Sequence, residues 1–143
     1  MKVEVINKGR HPLPVYHTAG AAAFDVQANI EASINLGPLE RYIVPTGLYI
    51  AVPEGYEAQV RPRSGLAAKN GVTTLNAPGT IDSDYRGELR VILINLSNEP
   101  YTIEDGDRIA QVVVARFERI EWSEVTEHNA THRGEKGFGH TGR

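Results

Sequence analysis

A carboxylate and an aromatic ring stand three residues apart in the stretch GTIDSDYRGE, residues 79–88. Asp82 follows the β-branched pair Thr80 and Ile81, and Tyr85 precedes a turn-forming Arg86-Gly87. An aspartate placed this way can take a proton from water as a general base, while the ring can lie against a sugar. Backbone N–H and C=O groups from Asn76 through Gly79 and Thr80 to Ile81 are able to pair with the edge of a planar base. The plain alternative is a surface aspartate accepting turn hydrogen bonds and a tyrosine covering a sheet.

Phosphate chemistry is suggested by a second stretch, RPRSGLAAK, residues 61–69. A helix N-terminus leaves N–H groups unpaired and carries partial positive charge. Gly65 admits close approach to that backbone, Ser64 adds a hydroxyl and Arg63 a fixed cation, a combination suited to an anion. A capped helical turn with a surface arginine explains the same residues more plainly. In the tail RGEKGFGHTGR, residues 133–143, Arg133 and the glycine amides are able to wrap phosphates while Phe138 stacks on a base; a disordered tail is the alternative. Asp25 in AGAAAFDVQA and Gln111 in GDRIAQ are polar residues in apolar surroundings, and each is also explained by bonding to neighbouring backbone.

The elements that must position these groups read as strands. Segments 3–6, 23–28, 41–52, 57–62, 89–95 and 108–118 are rich in Val, Ile and Tyr and are separated by Gly, Pro, Asn and Asp turn residues. Short strands at this spacing predict an all-β sandwich or barrel-like roll. Residues 75–95 read as two strands around a tight turn. VILI and QVVVA are unbroken apolar runs, which predicts strands buried on both faces, one cover being another subunit. Residues 63–71 break the pattern and predict one or two helical turns, with Ser64 as N-cap and Gly71 as terminator. Residues 127–143 hold one large apolar side chain, Phe138, and are expected to be mobile in isolation.

The composition narrows the function. A chain of 143 residues with 41% hydrophobic and 23% charged residues is one ordinary globular domain. A net charge of −3 without a basic block argues against nucleic acid or a membrane surface as partner. The absence of cysteine excludes disulfides, a thiolate nucleophile and zinc–thiolate sites. His128 and His132 have i, i+4 spacing but lie in a polar linker, so no histidine metal site is expected. No run approaches transmembrane length and no secretory h-region is present, so a cytoplasmic protein is expected.

Taken in order, AGAAAFDVQA, PRSGLAAK, NAPGTIDSDYRGE, GDRIAQ and RGEKGFGHTG resemble the five motifs of the trimeric dUTPases and span residues 19–142. The resemblance implies an all-β jelly-roll (β-clip) subunit with one short helix. It also implies a homotrimer whose three active sites each draw on all three chains. Residues 1–126 would form the β-roll catalytic domain, and 127–143 a flexible glycine-rich lid over an active site of the trimer. Carried over, Arg63, Ser64 and Gly65 would hold triphosphate; Asn76, Gly79 and the Thr80–Ile81 backbone would read uracil. Asp82 would activate water, and Tyr85 would exclude a ribose 2′-hydroxyl. Gln111 would touch phosphate, Arg90 would face the ligand, and Arg133, Phe138 and Gly139 would close the site. Mg²⁺ would ride on substrate phosphates and water, supported by Asp25 and without direct protein ligands. The implied reaction is hydrolysis of dUTP to dUMP and pyrophosphate.

The chain departs from the family pattern at Ala23 and Lys136, where glycine is usual, and at His140, where serine is usual. These residues bear on backbone freedom and on the fine geometry of the lid. Two other readings use the same fold: a dCTP deaminase-like enzyme, and a non-catalytic dUTP-binding sensor. A structural trimer without ligand is a third.

Overall fold

The computed structural model describes residues 1–135 and 137 and shows an all-β jelly roll with one short helix. Its strands are β1 (Glu4–Asn7), β2 (Phe24–Gln27), β3 (Ile34–Leu36), β4 (Arg41–Pro45), β5 (Leu48–Ala51) and β6 (Tyr56–Arg61). After helix α1 (Ser64–Asn70) come β7 (Val72–Thr74), β8 (Gly79–Ile81), β9 (Arg90–Asn95), β10 (Tyr101–Ile103) and β11 (Arg108–Arg116). All pairings are antiparallel. A four-stranded sheet runs β2-β11-β6-β8 and a three-stranded sheet β4-β9-β7, with the ribbons β1-β5 and β10-β3 beside them.

Both larger sheets feed one core. Val26, Ala58, Val60, Ala110 and Val112 from the first meet Val44, Val72, Val91 and Leu93 from the second in a single buried cluster. The period-2 alternation of strands explains the choice: Val91, Leu93 and Asn95 of β9 point inward, whereas Ile92 and Ile94 are only half-buried. The unbroken apolar runs therefore have one buried face, and the other is partly open in the single chain.

Three expectations change. The predicted strand 41–52 is two strands in different sheets, β4 beside β9 and β5 beside β1. The break falls at Thr46-Gly47. Gly47 adopts φ 72°, and a side chain there would meet the Gly9 backbone at 2.5–2.6 Å, so the glycine is needed both for conformation and for close approach. The buried Thr46 hydroxyl donates to the Leu89 carbonyl at 2.6 Å and fixes the corner.

The two strands expected around a turn in 75–95 are not a hairpin. β8 pairs with β6, while β9 pairs with β4 and β7. Residues 82–89 are thus a strap that leaves one sheet and enters the other. The turn within it is not at Arg86-Gly87 but at 82–85, where the Tyr85 N–H donates to the Asp82 carbonyl at 3.2 Å.

The helix also begins differently. Arg63, extended at φ −89° and ψ 126°, is the cap residue, because its carbonyl accepts the first helical bond from Ala67 N–H at 3.0 Å. Ser64 is the first helical residue, and no side chain caps the helix. Gly71 ends it in the left-handed conformation, as expected.

Candidate active site

The site is built where the strap leaves β8. Gly79 and Thr80 pair with Val60 and Gln59 on β6, which holds β8 at a sheet edge. An edge strand keeps one row of N–H and C=O groups for an outside partner. Gly79 is buried, and a Cβ there would come 3.0 Å from the Asn76 amide nitrogen, so its bareness lets the Asn76 side chain fold back beside the strand.

Next to this edge lies a cleft of about 230 Å³, lined by Thr80, Ile81, Asp82 and Tyr85 from the β8–strap segment and by Arg90 and Ile92 from β9, among others. The predicted acid, ring, strand edge and Arg90 therefore come together. Asp82 is exposed, and among the described residues nothing hydrogen-bonds its carboxylate. The phenol of Tyr85 donates to the Glu88 carbonyl at 3.0 Å. The Glu88 carboxylate accepts from Gly47 N–H and from Arg90 Nε, each at 2.8 Å. The hydrogen bond to Glu88, reinforced by its charge, raises the Arg90 pKa above its ordinary value.

A second set gathers elsewhere, where β2, β11 and β6 run side by side and the chain turns into α1. Asp25 lies opposite Gln111 on β11, which lies opposite Arg61 on β6. One Asp25 oxygen accepts from Arg63 Nε at 3.2 Å and the other faces Arg108 Nη1 at 3.4 Å. Arg63 also donates to the Arg108 carbonyl at 2.9 Å, and Gln111 to the Pro62 carbonyl at 2.8 Å. Arg63 is thereby oriented by one carboxylate and one carbonyl. Ser64 and Gly65 are exposed, and a Cβ placed on Gly65 would meet no atom within 4 Å. That backbone is open to a ligand.

None of this second set lines the 230 Å³ cleft. Arg133 is exposed, next to a turn in which Gly134 N–H donates to the Thr131 carbonyl at 3.1 Å. Phe138 and Gly139, with Lys136 and His140, lie outside the described residues. Among the described residues, no three His, Asp or Glu side chains converge as a metal set.

Two residues of this arrangement were not singled out in the sequence: Glu88, which holds Arg90, and Arg108, which faces Asp25. Glu88 was detectable beside Arg90, since an i, i+2 pair of opposite charge at the start of a strand shares one face. Arg108 looked like the start of a strand.

The dUTPase family model matches residues 10–142. The deoxyuridine 5′-triphosphate nucleotidohydrolase of Fusobacterium nucleatum is 61% identical over 143 residues, 100% of this chain and 98% of that protein. Its counterpart in Finegoldia magna is 55% identical over 142 residues, 99% of each. Among solved structures, the dUTPase of Staphylococcus bacteriophage 80alpha with dUPNHPP matches with a TM-score of 0.86 at 25% identity, covering 96% of each chain.

Proposed function

The chain belongs to the dUTPase family, and from that premise we propose that it hydrolyses dUTP to dUMP and pyrophosphate through the residues gathered above. Such an enzyme limits uracil incorporation into DNA and supplies dUMP for dTMP synthesis. The observation that most directly supports the site is that Asp82, Tyr85, Arg90 and the free edge at Thr80–Ile81 line one cleft.

Uracil pairs with the β8 edge and the Asn76 amide. Cytosine would leave buried donors and acceptors unmatched there, and such mismatches cost far more than the matched bond contributes. The Tyr85 ring packs on deoxyribose and leaves no room for a 2′-hydroxyl. Asp82 orients a water and takes its proton as the water oxygen bonds to the α-phosphorus. The bond from that phosphorus to the bridging oxygen breaks, and pyrophosphate leaves. Arg63, Ser64, the Gly65 backbone and Gln111 bind the phosphate oxygens, and positioning with charge neutralisation supplies most of the catalysis.

The family is metal-dependent. Mg²⁺ would fit this chain as an ion brought by substrate phosphates and water, with Asp25 supporting that region rather than binding the ion directly. Both Asp25 oxygens already face arginines, a poor disposition for a direct ligand. The ion supplies charge neutralisation on the phosphates.

The family is trimeric, and the separation of the two residue sets on one chain supports a homotrimer in which each site combines them from different subunits. Exposed apolar side chains beyond β11 support it too: Ile120, Trp122 and Val125 are 68, 87 and 56% exposed along a segment without regular structure. Residues 127–143, bearing Arg133, Phe138 and Gly139, form the lid that closes over a site of the trimer, while 1–126 form the catalytic roll. No helix among the described residues is long and apolar enough to cross a membrane, and we place the enzyme in the cytoplasm.

Incubation with dUTP or dCTP and Mg²⁺ tests the reading. Pyrophosphate from dUTP alone is expected. Ammonia from dCTP would indicate a deaminase, and binding of dUTP without product would indicate a sensor.

A further inference from the structure

The Tyr85 ring can select a sugar only while it stays where the cleft needs it, yet it is 44% exposed. Dense packing does not hold it. Its hydroxyl is tied to the Glu88 carbonyl at 3.0 Å, and that residue is itself fixed, its carboxylate held by Gly47 N–H and Arg90 Nε. The ring also lies on the bare Cα of Gly87. A methyl group there would fall inside van der Waals contact of the phenol oxygen and Cζ, and 2.8 Å from Cε2.

We infer that Gly87 is the seat of the Tyr85 ring and therefore a positioning residue that sets discrimination between deoxyribose and ribose. This deepens the proposed function and rests on the role given there to Tyr85.

Backbone conformation does not demand this glycine. Gly87 is not among the residues with positive φ, so no left-handed conformation calls for glycine there. The three nearest atoms that a methyl group would meet all belong to the Tyr85 side chain, toward its tip. A ring on rotatable bonds moves to another rotamer more easily than a packed backbone shifts. The added methyl therefore evicts the ring and leaves the roll intact. The phenol then loses its reach to the Glu88 carbonyl, and the 2′ position is uncovered. Arg86, beside the seat, donates to the carbonyls of Ser83 and Tyr85 at 2.7 and 2.9 Å, so the strap backbone keeps its shape when the ring goes.

The test is a double-mutant cycle on the full-length protein, using Gly87→Ala, Tyr85→Ala and the combination. The readouts are kcat/KM for dUTP and for UTP, with melting temperature. Gly87→Ala is expected to lower the dUTP:UTP ratio by about 10-fold or more, the scale on which one methyl-sized change in a pocket is felt. In the Tyr85→Ala background the same change should leave the ratio where it was, because the ring it displaces is gone. An unchanged ratio in Gly87→Ala, with a lowered one in Tyr85→Ala, overturns the inference and leaves the role of Tyr85 standing. An unchanged ratio in Tyr85→Ala removes that role, and the inference with it. A drop of equal size in both backgrounds also overturns it, since the effect would not pass through the ring. Should Gly87→Ala fail to fold, recovery of a normal melt in the double variant supports the seat, and continued unfolding refutes it.

Discussion

Two aspartates on turns show how residue type underdetermines role. Asp82 keeps its carboxylate clear of hydrogen-bond partners among the described residues, which suits the proposed role of taking a proton from water. Asp82→Asn preserves its shape and removes the base. Turnover should fall by about 10²–10⁴-fold, while a non-hydrolysable dUTP analogue still binds in titration calorimetry; near-normal turnover would exclude the role. Asp105 is committed to structure instead. One of its oxygens takes the Ile30 N–H at 2.9 Å, His11 Nε2 at 3.1 Å and Arg10 Nη2 at 3.2 Å. The Ile30 N–H foremost, then His11, lowers its pKa from 3.8 to about 2. A folded-state value below the unfolded one gives stability that is present above pH 3.8 and lost as pH falls through about 2. The melting temperature of wild type should therefore exceed that of Asp105→Asn at neutral pH, and the gap should close as pH falls through that window. A gap independent of pH would show that charge on Asp105 does not matter. Candidates of the first kind stood out in the sequence, because Asp82, Tyr85, Arg63 and Ser64 sit in short stretches of distinctive order. Asp105 was not, because its partners lie 75 to 95 positions away in the chain.

At the scale of elements, legibility followed length. β6, β9 and β11 have 6, 6 and 9 residues and were found nearly to their ends. β3, β7 and β10 have three residues each, too few to show alternation, and exist because a neighbour pairs with them. The segment 41–52 misled for the opposite reason: its apolar pattern runs on through a corner that one glycine makes. Gly47→Ala puts a methyl group against the Gly9 backbone at a left-handed position, and neither can yield cheaply. A loss of about 2 kcal/mol or more is expected, measured by denaturant titration at fixed protein concentration; a loss below about 0.5 kcal/mol would mean the corner can be rebuilt. The hairpin expectation failed because two strands adjacent in sequence chose different sheets, and no local pattern reports that choice.

For the whole molecule, the terminal segment is the informative part. Every described residue from 117 to 137 is exposed, with Trp122 at 87%, so the fold of a single chain does not need it. Removing residues 127–143 should leave melting temperature and the mass of the proposed homotrimer, read by light scattering, close to full-length values, while kcat/KM falls steeply. Loss of the trimer on truncation would make this segment an assembly arm rather than a lid. The apolar residues nearer the roll, Ile120, Trp122 and Val125, are retained in that truncation, which separates the two possibilities.

The strap from Asp82 to Leu89 ties the four-stranded sheet to the three-stranded one. The two sheets share one buried core, and the amides of each exchange with solvent through local openings. On the proposed function, a nucleotide seated against the β8 edge and the strap would couple those openings. Deuterium uptake should then slow together in β6 and β9, which share no hydrogen bond, so that ligand binding is registered as a synchrony between sheets.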